Sequence, residues 1–363
     1  MGCRPLNATR ALILLLGFVA GGAPAAPFVY VTQPASIAVI DAATNSVTAT
    51  IPVGDYPYAI AITRSGAHGY TADFASNTVT FLDLLGNNAM ATVPVATEPL
   101  ALALSADETR LFVASRSARL TVIDIASRAI VAAVPLIDPP MALALQPDGR
   151  RLYILYESAT DIGIFDTTTN SLSGALANRL DVLPGGFALR ASGAEIYVAN
   201  QFMRSFFLPP PSDIVSIIDT SGMAPVASIS VGEQVSAVTF GTNPERAYVA
   251  ASEHVKIIDP ATRAVVGSIP VAAGYSPAIA YLPALRRLYL TSYSDNVVTV
   301  IDTAAATPLT TISVQGPGYL GVVPDATPPP PPPNDGPKPA PAVPVARPHR
   351  PAVAPRQAIG WIN

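Results

Sequence analysis

Short apolar runs of five or six residues, separated by turns rich in Gly, Pro, Asp and Asn, fill the chain from about residue 28 to residue 323. Seven of these runs end in aspartate: IAVID at 37–41, VTFLD at 79–83, LTVID at 120–124, IGIFD at 162–166, VSIID at 215–219, VKIID at 255–259 and VTVID at 298–302. Their aspartates, Asp41, Asp83, Asp124, Asp166, Asp219, Asp259 and Asp302, are 42, 41, 42, 53, 40 and 43 residues apart. Such a period marks a repeat architecture, and the one long spacing marks an insertion.

Each period holds four runs. An Ala-rich run such as Ala59–Ile62 is followed by a polar turn and an aromatic-containing run such as Arg151–Ile154; the aspartate run comes third and a run such as Thr50–Gly54 comes fourth. Four short strands in about 42 residues are the size of one propeller blade, whereas a helical solenoid would need runs of ten or more residues at 3.6 spacing. The predicted fold class is therefore all-β, a seven-bladed β-propeller with four-stranded antiparallel blades. Small residues (Ala61, Ala103, Ala144, Ala280) suit a first strand crowded near the axis. Pro52, Pro94, Pro135 and Pro270 place the fourth strand at the outer edge, since proline cannot donate to a ladder. The chain opens on a run matching a second strand, Phe28–Thr32, and its last run, Tyr319–Val323, matches a first. The ring is thus expected to close by the C-terminal run joining the N-terminal blade.

The ends read differently. Arg4 and Arg10, the apolar run 11–20 and Ala23-Pro24-Ala25 have the order of a secretory signal peptide, expected to occupy residues 1–25. That run is shorter than the roughly 20 residues that span a bilayer. Cleavage would remove Cys3, the single cysteine, and leave an exported chain in the periplasm or outside the cell. The propeller is expected over 26–326. Residues 327–363, with six consecutive prolines at 328–333, read as a disordered proline-rich spacer that ends in the single tryptophan, Trp361.

Half of the 363 residues are hydrophobic and only 13% are charged, which secures an apolar core. The formal charge is −4, but the first 25 residues carry +2 and residues 327–363 carry +3, so the stretch between stands at −9. That balance argues against a nucleic-acid partner, because tracking phosphates relies on Lys and Arg.

Tyr197-Val198-Ala199-Asn200, with the variants at 30–32, 112–115 and 248–250, followed by Val-x-Ile-Ile-Asp and Ile-Pro-Val-Gly, resembles the YVTN repeat of seven-bladed propellers. That family includes YncE-like exported proteins and surface-layer-associated proteins. The resemblance covers residues 28–326 and implies the fold, with a binding role or, in some relatives, DNA binding or association with redox enzymes.

The aspartates are expected to form turns, since short acceptors at a strand end cap backbone donors. No cofactor or metal site is expected: His68, His254 and His349 have no ligand spacing, and no catalytic constellation is present. Propellers bind on the face that carries the loops joining second to third and fourth to first strands. Candidate binding residues there are Tyr56, Glu98, Asp138, Glu233 and Tyr275 from one loop set, with Asp55, and Tyr156 and Tyr293 from the other, with Phe74, Arg116, Glu157, Glu253 and His254. The insertion at 201–212 adds Phe202, Arg204, Phe206 and Phe207, as a plug over the channel or a partner hot spot. The expected function is a non-catalytic scaffold for an envelope protein or small ligand. The alternative is a lactonase- or lyase-like hydrolase, which requires Glu157, Arg116 and Glu253 or His254 to converge.

Overall fold

A computed structural model describes residues 27–157, 161–177, 182–203, 211–222, 224–271 and 278–323. The expected signal peptide and proline-rich tail lie outside these residues. Seven four-stranded antiparallel sheets follow one another as the blades of a propeller. Blade 2 is typical: Pro57–Ile62 innermost, then His68–Asp73, Thr78–Asp83 and, at the edge, Asn88–Pro94. Blades 3 and 4 begin at Pro99 and Pro140, blade 5 at Val182, blade 6 at Val235 and blade 7 at Ile279.

Blade 1 is built from both ends of the repeat. Its inner strand, Leu320–Val322, pairs with Phe28–Gln33 through Val31↔Leu320, Tyr30↔Gly321 and Val29↔Val322, so the ring closes as the run order predicts. Thr32 extends the seam: its N–H donates to the Tyr319 carbonyl and its carbonyl accepts from Gly318 N–H, both at 2.9 Å.

Burial follows position in the blade. Second and third strands are covered on both faces, as in Arg151–Tyr156 and Ser36–Asp41, whose central residues are all buried. Fourth strands are exposed over most of their length, and Pro52, Pro94, Pro135 and Pro270 stand at their ends on the unpaired edge. The fourth strand of blade 1 starts at Ser46, earlier than the apolar run suggests, because an edge strand needs no apolar residue on its solvent side.

The core is divided among the joints between blades. Seven apolar clusters of buried residues are described, each built from two neighbouring blades: Val113 and Ile123 of blade 3 meet Tyr70 and Phe81 of blade 2, and Val29 and Ile40 of blade 1 meet Val298 and Val300 of blade 7. The seventh joint is thus packed like the others, which is what closure requires. A four-member ion network also joins blades 5 and 6, with Arg190 on Glu245 (2.7 Å) and Glu195 (3.2 Å), and Arg263 on Glu195 (2.8 Å).

All seven repeat aspartates cap the turn that follows them. Asp302 accepts from the amides of Ala304 (2.7 Å) and Ala305 (2.9 Å), and Asp166 does the same for Thr168 and Thr169. Asp41, Asp83, Asp124, Asp219 and Asp259 make equivalent bonds.

Blade 5 departs from the expected loop. Its second and third strands run Glu195–Met203 and Pro211–Asp219, nine residues each, and Phe202 pairs with Pro211. The insertion therefore begins and ends as strand, because extended apolar residues continue the ladder in preference to leaving their amides unpaired. Arg204, Phe206 and Phe207 lie outside the described residues, and so do both readings of this segment as plug or hot spot.

Candidate functional site

On the face carrying the second-to-third and fourth-to-first loops, a cavity of about 280 Å³ opens where the ring closes. Four tyrosines line it: Tyr56 and Tyr58 from the start of blade 2, Tyr293 from the end of a blade 7 strand, and Tyr319 from the approach to the closing strand. Thr32, Gln33 and Pro34 of blade 1 complete the wall with Pro57, Gly316 and Gly318. None of these ten residues is charged.

Local chemistry fixes each wall. Tyr56 N–H donates to the Pro34 carbonyl (2.6 Å), and the Tyr56 carbonyl accepts from Phe74 N–H (3.0 Å). The Asp55–Tyr56 turn is thereby tied to blade 1 on one side and blade 2 on the other. Phe74 backs Tyr58 at a centroid distance of 4.7 Å, and Tyr58 in turn meets Tyr319 at 5.6 Å, giving a continuous aromatic wall. Gly318 is required by space: a Cβ there would stand 2.6 Å from Thr32 Oγ1, the hydroxyl that accepts from Tyr319 N–H at 2.8 Å.

Tyr56 is 56% exposed and has φ +52°. The left-handed region costs a residue with a Cβ roughly 1–2 kcal/mol. The equivalent pre-proline positions of blades 3 and 1, Glu98 (φ +58°) and Gly316 (φ +54°), share this conformation. Tyr293 is also 56% exposed. A large exposed aromatic in a strained backbone position serves no core, which makes it a candidate for recognition.

The remaining sequence candidates separate into distinct places. Tyr56 and Tyr293 come together in the cavity. Glu98 is exposed on the neighbouring loop, where its N–H donates to Asn77 Oδ1 (2.8 Å), and Asp138 is half-buried at the start of blade 4. Tyr156 is a correction to its placing at the rim: it is 1% exposed, within the apolar cluster between blades 3 and 4, and burial pushes its hydroxyl up to about 12. Tyr275 lies outside the described residues, and Phe202 is placed only as a strand position.

Glu233 forms its own cluster in blade 6, with Oε1 2.6 Å from Lys256 Nζ and Oε2 accepting from Glu253 N–H at 3.0 Å. His254 Nδ1 is 2.7 Å from the same Oε1, but out of line for a hydrogen bond. Burial raises the Glu233 carboxyl, and Lys256, the Glu253 amide and His254 together outweigh it and hold the group below its ordinary range. Arg116 and Glu157 pair at 3.4 Å across blades 3 and 4, both largely exposed. The acid, base and arginine required by the hydrolase reading thus fall into two groups on different blades, and neither lines the tyrosine cavity.

Asp73, at the end of a blade 2 strand, is fully buried, and burial raises its pKa even though Thr71, Thr78 and Thr80 all donate to it. Its acceptors are consumed inside the blade, so it holds the strand ends that carry Phe74. Among the described residues, no group of three His, Cys, Asp or Glu is arranged to hold a metal ion.

Sequence reasoning missed Tyr58, Tyr319 and Pro34. A signal was available in the repeat. The repeat position that follows the second strand reads Pro34, Phe74, Arg116, Glu157, Ser252 and Tyr293 in blades 1 to 4, 6 and 7, and its counterpart Gln201 falls inside the prolonged strand of blade 5. It turns aromatic or apolar only in the consecutive blades 7, 1 and 2, which surround the cavity.

No family model matches the chain, and no curated protein matches it. Solved structures match over most of its length. A protein of Desulfotomaculum acetoxidans described as functionally unknown is 12% identical with a TM-score of 0.71, covering 81% of this chain and 98% of that one. Hydrazine synthase of Kuenenia stuttgartiensis is 17% identical with a TM-score of 0.63, covering 72% and 88%. The dihydro-heme d1 dehydrogenase NirN is 14% identical with a TM-score of 0.63, covering 83% and 76%. At these identities the likeness establishes the fold, a seven-bladed β-propeller, and nothing of the chemistry.

Proposed function

We propose that this chain is an exported, non-catalytic propeller of the YVTN-repeat kind, acting as a binding scaffold in the cell envelope, with the tyrosine cavity at the ring seam as its recognition site. The observation that carries the reading is the cavity itself: four tyrosines, two of them more than half exposed, around about 280 Å³ of uncharged space. Tyrosine is enriched at binding hot spots because it supplies a large contact area at low conformational cost and a polar tip. The N-terminal pattern of charged, apolar and small residues supports export. Redox and haem enzymes share the fold at low identity, and their activities are theirs.

The test compares binding by the intact protein with binding by a Tyr56→Ala/Tyr293→Ala variant, using affinity capture from the envelope of the exporting cell. The expected result is loss of a specific partner with Tm unchanged within about 2 °C, since both side chains are exposed. Retention of every partner by the variant refutes the site, and a chain found in the cytosol refutes export.

A further inference from the structure

We infer that the tyrosine cavity takes an arginine side chain from a basic segment of a partner protein. The inference rests on the cavity being the recognition site, and it names the ligand class from the way charge is distributed over this face of the ring.

The three blades around the cavity sort their charges by face. Blades 7, 1 and 2 carry all their arginines, Arg64, Arg286 and Arg287, in the first-to-second turns of the opposite face, and they contain no lysine. On the cavity face, the described charged residues from blade 7 through blade 2 are Asp55, Asp73 and Asp295, all acids. Asp73 is buried and spent on the three threonines of its blade. Asp55 and Asp295 are exposed and share loops with the two exposed tyrosines: Asp55 precedes Tyr56, and Asp295 follows Tyr293 by two residues. The imbalance continues around the ring. Among the described residues of this face, ten acids stand against Arg116, Arg119 and Lys256, of which Arg116 pairs with Glu157 and Lys256 with Glu233.

Two physical effects then select a cation. Aromatic faces attract one held within about 6 Å of the ring centroid, and an excess of carboxylates steers cations to the surface and repels anions. The Phe74–Tyr58–Tyr319 wall and the exposed rings of Tyr56 and Tyr293 supply the faces, and no cation of the chain itself lines the cavity. Arginine suits it better than lysine, because a planar, weakly hydrated guanidinium lies flat on a ring whereas an ammonium is compact and strongly hydrated. Size points to a side chain in preference to a free ligand. About 280 Å³ lies at the low end for ligand pockets. Asp55 and Asp295 stand outside the lining, where a ligand reaches them only by continuing past the cavity. A peptide segment with a second cation beside the inserted one satisfies both conditions.

The probe is a fluorescein-labelled Gly-Ser peptide carrying a pair of arginines, titrated by anisotropy into the full chain at low salt and at about 0.15 M salt. The same peptide with citrulline in place of both arginines keeps the shape and removes the charge. The expected result is saturable binding of the arginine peptide, weakened at least tenfold by Tyr56→Ala, by Tyr293→Ala and by the citrulline exchange. Asp55→Asn, an exposed change that leaves Tm where it was, should weaken binding severalfold, and so should the higher salt. Three results would overturn the inference: no saturable binding at low salt, equal binding of the citrulline peptide, or salt-sensitive binding indifferent to both alanine variants. The last is attraction to the acidic face at large. Binding that appears only in a full chain with Lys338, Arg347, Arg350 and Arg356 exchanged for glutamine also overturns it, by making the chain's own basic residues the occupant. Loss of a captured partner in the Tyr56→Ala/Tyr293→Ala variant, with the arginine peptide inert, overturns the ligand class and leaves the cavity as recognition site. Retention of every partner by that variant removes the site itself.

Discussion

The two faces of this propeller treat repetition in opposite ways. On the face of the third-to-fourth turns, seven aspartates make the same side-chain-to-amide bonds seven times. On the other face, equivalent positions diverge: one reads Pro, Phe, Arg, Glu, Gln, Ser and Tyr around the ring, and it becomes aromatic where the cavity forms. A residue that builds a blade is needed in every blade. One that meets a ligand is needed at one place, so departures from the repeat carry the functional information and the repeat carries the fold.

The comparison breaks most severely at the seam, where the last blade joins the first and the cavity and the closure share residues. A chain ending at Val314 loses the strand paired with Val29–Val31 and the Thr32 bonds to Gly318 and Tyr319. Its Tm should fall by about 10 °C or more, or its unfolding cease to be a single transition, in differential scanning calorimetry. A Tm within 2 °C of the intact chain would mean that closure contributes nothing to stability.

The next effect belongs to the joint between blades 5 and 6. Glu195→Ala leaves Arg190 and Arg263 without their shared carboxylate, in a place where Glu195 is only 8% exposed. Breaking a buried pair costs about 3–5 kcal/mol, but Arg190 keeps Glu245 and both arginines reach solvent, so about 2 kcal/mol in urea unfolding is expected. A loss below 0.5 kcal/mol, within the ordinary scatter of surface changes, would show the network to be ornamental to stability.

The turn aspartates set a smaller and repeated effect. Asp302→Ala removes two amide bonds at an exposed turn and should cost about 1 kcal/mol, and Asp41→Ala should cost the same within about 0.5 kcal/mol. Turn amides hold the carboxyl of Asp302 below its unfolded value of 3.8, and the Gly222 amide and the Ser221 side chain do the same for Asp219. A depressed folded pKa gives stability that is complete above the unfolded value and disappears as pH falls through the folded one. Stability should therefore drop as pH falls below about 4, and more shallowly in Asp302→Ala. Asp73 acts with the opposite sign, since burial raises its pKa and its unfavourable ionised form is relieved as pH falls. An acid limb just as steep in Asp302→Ala as in the unaltered chain would remove that aspartate from the account.

How much of this was legible in the sequence follows from the same distinction. The aspartates, the edge prolines and the closing run at 319–323 announce themselves because each is a local solution to a local demand repeated down the chain. Tyr56 and Tyr293 were readable as rim residues from their loops, but not as neighbours. They are 237 positions apart, and only closure of the ring brings blade 7 beside blade 2 across blade 1. Tyr156 misled because it ends a second strand, as Asp73 and Ser115 do, and those ends are buried in the joints whatever their polarity. Blade 5 misled because a length difference says where chain is inserted, and not that its first and last residues prolong the strands.

The smallest expected effect on stability is also the sharpest test of the comparison. Tyr56 occupies a left-handed position that its counterpart in blade 1 fills with Gly316. Tyr56→Gly removes an exposed side chain and the Cβ strain, a gain of roughly 1–2 kcal/mol, against the greater freedom of glycine in the unfolded chain, a loss of roughly 0.5–1 kcal/mol. Stability should therefore be unchanged or slightly higher. Binding at the cavity should nonetheless fall at least tenfold, because the ring is the contact. Thermal unfolding and ligand titration on this one variant separate the two possibilities. A stable variant that no longer binds means the tyrosine is kept at the expense of backbone strain for recognition; a variant that loses stability and binding together means that Tyr56 is part of the seam, and that the aromatic departure from the repeat is structural after all.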